Sequence, residues 1–136
     1  MTKVIIGVGT DLCDIRRIEK TLKKFGTRFT SRLFSVAERS KAQQNPNPAA
    51  TYAKYFAGKE AFAKSLGTGF REGVFWQSIE VKSLKSGQPY IEVSGGARAK
   101  LESLLPANST FDIKISLTDE YPLAHAIVII CSINLL

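Results

Sequence analysis

The chain is poor in the residues from which many sites are built. It has one histidine, His125, and two cysteines, Cys13 and Cys131, at opposite ends and without metal-ligand spacing. That excludes a histidine- or cysteine-rich metal centre and a disulfide framework. No apolar run approaches the roughly 20 residues that cross a bilayer as a helix. The opening MTKVIIGVGTDL carries one lysine, its apolar run is too short for a secretory signal, and no cleavage pattern follows. The expectation is a cytoplasmic protein. Internal repeats, low-complexity tracts, a Walker loop and a dinucleotide fingerprint are all missing. Acidic residues are scarce as well: 12 Asp and Glu stand against 19 Lys and Arg, for a formal charge of +7. Such a balance favours an acidic partner, whether nucleic acid, an anionic membrane surface, an acidic protein or a phosphorylated small molecule.

What is present reads as a globular chain of mixed structure. Its 136 residues suit a single domain, residues 1–136, with a core of its own. Lys3–Val8 is apolar on both sides and reads as a strand. Gly7 and Gly9 permit close backbone approach, and Thr10-Asp11 ends the run, with Asp11 placed to cap a helix. Asp14 offers a second carboxylate three residues on. Ile15–Phe29 carries a helical stripe of Ile15, Ile18, Leu22, Phe25 and Phe29. Its other face bears Arg16, Arg17, Lys20, Lys23, Lys24 and Arg28, with Arg32 just beyond and Glu19 as the only acid. Like charges at helical spacing oppose the helix, so a surface for something acidic explains them better than chance.

Ser35 and Glu38 have the spacing of a capping box. Gln43–Pro48, QQNPNP, is an exposed loop before Ala50–Leu66, the strongest helix of the sequence, whose one weak point is Gly58. Gly67-Thr68-Gly69 stops that helix, and Phe70–Gly73 is a glycine-flanked loop carrying Arg71. Ser78–Lys82 and Pro89–Val93 alternate as a hairpin through Ser86-Gly87-Gln88. A short helix over Gly95–Leu105 follows, then strands at Phe111–Leu117 and Ala124–Cys131, joined by a turn over Thr118–Pro122 that holds Asp119. The fold class is therefore α+β, a mainly antiparallel sheet packed against one long helix.

The chemistry concentrates around the long helix. Glu60 and Lys64 stand four apart and share a face, which by itself fits an ordinary surface pair. Asp11 by itself fits a cap, His125 a hydrogen-bonded core residue, and Arg71 a planar fork for phosphate. Magnesium needs only one or two protein carboxylates beside substrate phosphate oxygens and water. Asp11 and Glu60 suffice in number, provided that the fold brings them together, which periodicity does not decide.

Two stretches resemble one family. Gly7–Ile18, GVGTDLCDIRRI, is similar to the N-terminal motif of the holo-acyl-carrier-protein synthases, the small type of phosphopantetheinyl transferase. Phe56–Gly73, FAGKEAFAKSLGTGFREG, resembles their second motif, at the right separation. Ile79-Glu80-Val81, Gly87-Gln88-Pro89-Tyr90 and the Ile115–Ile130 region fit too. The resemblance implies a phosphopantetheinyl-transferase-like fold. It also implies transfer of phosphopantetheine from coenzyme A to a serine of apo acyl carrier protein, releasing adenosine 3′,5′-bisphosphate.

By the same resemblance, Asp11 and Glu60 would ligate magnesium on the pyrophosphate, and Lys64 would neutralise developing charge. Glu60 or a metal-bound water would accept the serine proton, and Gly67, Gly69 and Arg71 would face the coenzyme with Lys64. Arg17, Lys24, Arg28 and Arg32 would dock the acidic carrier. The family also implies a homotrimer, and no nucleic-acid or membrane partner. Many relatives have Ser-His near the last turn where this chain reads Leu117-Thr118-Asp119-Glu120, so no histidine role carries over there. The rival reading is a non-catalytic basic module for nucleic acid or an acidic protein. It explains the charge but not the paired motifs.

Overall fold

A computed structural model of the protein describes residues 2–136. In chain order, β1 is Lys3–Asp14, α1 Ile15–Phe25, α2 Thr27–Leu33, α3 Val36–Gln43 and α4 Pro48–Ser65. After a short 3₁₀ turn, Trp76–Ser78, come β2 Ile79–Ser83, β3 Pro89–Val93, α5 Gly95–Ser103, β4 Ser109–Glu120 and β5 Leu123–Asn134. The strands form an antiparallel sheet in the order β1-β5-β4, beside the separate hairpin β2-β3.

Helix α4 is the centre of the molecule. Pro48 starts it, where a missing N–H costs nothing, and Leu66 closes it through backbone bonds to the last turn. Ala53, Ala57 and Ala61, each fully buried and four apart, make one smooth face. Opposite them, Ala124, Ala126, Val128 and Ile130 of β5 alternate inward. Phe34 and Phe62 are both fully buried, and each contributes about 1.5–3 kcal/mol relative to exposure, an upper estimate.

Several boundaries differ from those expected. β1 does not end at Thr10 but runs on to Asp14, paired with β5 from Lys3↔Ile133 to Asp14↔Leu123 across one irregularity between Ile5 and Gly7. Asp11 is therefore mid-strand. The cap of α1 is Asp14, whose carboxylate accepts from the Arg16 N–H at 2.9 Å and from its guanidinium. The expected helix Ile15–Phe29 breaks at Gly26, whose φ of 53° is a left-handed conformation that suits glycine. The turn expected over Thr118–Pro122 shrinks to Tyr121-Pro122, because both strands extend towards it. That corner is tied down: the Pro122 carbonyl accepts from Ile15 N–H at 2.7 Å, and Tyr121 O–H donates to Glu19 at 2.8 Å. The lone acid of α1 is thereby occupied.

Candidate active site

The site is made by glycine. Gly7 and Gly9 face α4, and a Cβ on either would collide with helix backbone, at Ser65 O and Ala61 O respectively. Without those side chains β1 lies directly on the helix. Two residues further along the same face, Asp11 comes beside Lys64. Lys64 Nζ donates to Asp11 Oδ1 at 3.0 Å and to the Thr10 carbonyl at 3.1 Å. Asp11 is half-buried with 15% of its side chain exposed, while Lys64 keeps 52%. Lys64 thus crosses to the strand rather than pairing with Glu60 along its own helix.

Glu60 sits one turn before Lys64 and is half-buried. Burial raises its carboxyl above the ordinary glutamate value, and the Asp11 carboxylate adds to the rise; Lys64 and Arg17 oppose it. Two carboxylates that repel each other across a partly dry gap form a donor set suited to a cation. Among the described residues no group of three or more His, Cys, Asp or Glu side chains converges. A pair of hard oxygen ligands fits magnesium, which takes its remaining ligands from phosphate and water. A concavity of about 750 Å3 between α1 and the start of α4 lies elsewhere and includes none of Asp11, Glu60 and Lys64.

A family model described as the 4′-phosphopantetheinyl transferase superfamily matches residues 7–126. The chain belongs to that superfamily. A protein of Azorhizobium caulinodans named holo-[acyl-carrier-protein] synthase is 54% identical over 93% of this chain and 93% of its own length. One of Rhizobium rhizogenes with the same name is 51% identical, over 93% of this chain and 95% of that protein. Among solved structures, the holo-[acyl-carrier-protein] synthase of Neisseria meningitidis superposes with a TM-score of 0.82 at 32% identity. It covers 93% of this chain and 98% of its own. The Helicobacter pylori enzyme of that name, in complex with coenzyme A, gives 0.77 at 26% identity, covering 90% and 98%.

In this superfamily member the segment after α4 is open. Gly67, Gly69 and Gly73 all have positive φ, and a Cβ on any of them would meet nothing within 4 Å. Gly67 and Gly69 donate their N–H groups to the Lys64 and Ala63 carbonyls. What they can offer a ligand is therefore bare, side-chain-free surface rather than free donors. Arg71 is exposed in the same segment. The basic residues Arg17, Lys24, Arg28 and Arg32 are all exposed, and Lys24 and Arg28 flank the exposed ring of Phe25 at 5.3 and 5.9 Å. Arg17 is close enough to lower Glu60, so the basic face reaches the site.

Other residues prove structural. Cys13 is buried, and desolvation first, with the nearby carboxylates, pushes its thiol up to about 11. It is a packed, protonated side chain. Asp119 forms an ion pair with Lys54 at 3.1 Å. His125 is hydrogen-bonded as expected, to Thr10 Oγ1 at 2.8 Å, but it is only half-buried and lies on the open face of the sheet, not in the core. Sequence reasoning missed the pairing of Lys59 with Glu38. Both are buried, with Nζ 2.8 Å from Oε1. The capping box at Ser35 was legible; its glutamate's second task, across the core, was not.

Proposed function

We propose that this chain is a holo-[acyl-carrier-protein] synthase, moving the 4′-phosphopantetheine group of coenzyme A onto a serine of apo acyl carrier protein. The serine oxygen forms a bond to the pantetheine-side phosphorus, and the bond from that phosphorus to the bridging pyrophosphate oxygen breaks. Adenosine 3′,5′-bisphosphate leaves, and the serine proton passes to a base. The observation that carries this reading is the meeting of Asp11, Glu60 and Lys64 in a chain alike over nine-tenths of its length to proteins so named.

Asp11 and Glu60 are the residues that would hold magnesium. When bound, the ion supplies charge neutralisation and polarisation at the pyrophosphate. Lys64, half in solvent and already at the mouth of the pair, brings a positive charge to the leaving phosphate. Glu60, whose carboxyl is raised above an ordinary glutamate, or a metal-bound water would take the serine proton. Arg71, with the bare surface at Gly67 and Gly69, is assigned to the coenzyme, where a planar guanidinium suits phosphate oxygens. Arg17, Lys24, Arg28 and Arg32 are assigned to the acidic carrier protein. The positioning and charge stabilisation they share are what phosphoryl transfer requires most.

A homotrimer belongs to the same reading. One face of the three-stranded sheet is uncovered: Ile5, Val8 and Leu12 of β1 and Leu123 and Ile127 of β5 are exposed, between 37% and 60%. Such a contiguous apolar patch fits a second copy of the chain, and it lies on the strand that carries Asp11. The whole chain acts as one domain, in the cytoplasm, where its two free thiols stay reduced.

The test is mass spectrometry of apo acyl carrier protein incubated with this protein, coenzyme A and magnesium. The expected result is a gain on the order of 340 Da, abolished by chelator. A competent carrier that gains nothing would sink the reading.

A further inference from the structure

The deepest charge in the chain belongs to neither the metal ligands nor the docking face. Lys59 is fully buried, and Nζ donates to Glu38 Oε1 at 2.8 Å, to the Ile79 carbonyl at 2.7 Å and to the Trp76 carbonyl at 3.0 Å. All three donors of the ammonium are used. Glu38 in turn accepts from the N–H groups of Ser35 and Val81, each at 2.8 Å. The cage joins α3, α4, the 3₁₀ turn and β2. A well-packed apolar pair would hold a core about as well as a buried ion pair, so stability alone gives no reason for these charges.

What the cage holds is the backbone under Trp76. The indole stacks on Phe70 with centroids 3.9 Å apart and planes at 20°, and on Phe56 at 5.1 Å and 27°. Phe70 lies in the middle of the open segment Gly67–Gly73. The ends of that segment are fixed by the Gly67 and Gly69 N–H bonds to α4, by the close seat of Gly96 on Gly73, and by the Lys100–Glu72 ion pair at 2.9 Å. Its centre, next to Arg71, rests on the aromatic stack.

We propose that Lys59 is a positioning residue: by clamping the Trp76 backbone it sets the aromatic shelf on which Phe70 holds the Gly67–Arg71 segment towards coenzyme A. This rests on the transferase reading, but half of its test does not. Trp76 is the only tryptophan, so intrinsic fluorescence reports the shelf without turnover. Lys59→Met, Phe70→Ala and the double variant are compared with the parent, each confirmed folded by its thermal transition. In both single variants Trp76 emission is expected to shift and KM for coenzyme A to rise about tenfold, with kcat changed less than about threefold. The double variant should rise no further than the larger single, because both break one chain of contacts. A folded Lys59→Met with parental emission and KM overturns the proposal, as do additive effects in the double variant. Should Lys59→Met not fold, Phe70→Ala decides, since a parental KM there breaks the relay. A parent without transfer activity would instead sink the transferase reading, and emission alone would then judge the clamp.

Discussion

At Glu60 the requirements of the fold and of the proposed chemistry oppose each other. Its carboxyl is raised by burial and by Asp11, so the folded state binds that proton more tightly than the unfolded chain does. The sign follows: the carboxylate imposes no penalty below its unfolded pKa, and destabilises the fold progressively as pH rises through the higher folded value. In chelator at neutral pH, Glu60→Gln is therefore expected to melt above the parent, and with magnesium present it should lose nearly all transfer. A lower melting temperature, or near-parental transfer by the folded variant, would remove Glu60 from the paired-carboxylate site. Magnesium should raise the melting temperature of the parent and not that of the variant. Arg17 makes a separate case, exposed on the basic face yet felt at Glu60. Arg17→Glu should weaken use of the carrier protein far more than of coenzyme A, measured as separate KM values. Equal loss of both contradicts a docking role.

The element that matters most is the contact of β1 with α4. Its closeness depends on the missing side chains of Gly7 and Gly9, and that closeness puts Asp11 at Lys64. Gly9→Ala drives a Cβ into the Ala61 backbone, and overpacking of this kind costs about 1–3 kcal/mol. Urea unfolding should show that loss, and transfer should fall with it as the strand lifts. A variant as stable and as active as the parent would mean that the strand does not need to lie so close. Most elements were legible from periodicity: α4, the β2-β3 hairpin and the Ser35 cap stand almost where the pattern put them. The break at Gly26 and the length of β1 were not. An apolar stripe continues across a glycine without marking a kink, and a strand whose face is glycine shows no alternation to read.

For the molecule as a whole, the uncovered sheet face is the feature that a single copy leaves unexplained. Leu12 stands there with 60% of its surface exposed, on the opposite side of β1 from Asp11. Sedimentation equilibrium of the parent is expected to give a trimer. Leu12→Lys, at this exposed position, should give a folded monomer with greatly reduced transfer. A parent that sediments as a monomer, or a monomeric variant with full activity, would detach the site from assembly.

The sequence by itself determined the class of the molecule and its family, because motif spacing, helix caps and apolar periodicity are local properties written into neighbouring residues. It also named Asp11, Glu60 and Lys64 as the residues worth watching. Only the tertiary structure decided their geometry. Lys64 reaches across to Asp11, 53 positions away in the chain, instead of along its helix to Glu60. The burial of Lys59 against Glu38 was decided in the same way. Each is a contact between distant segments, fixed by how closely two backbones pack, and no window of sequence contains both partners.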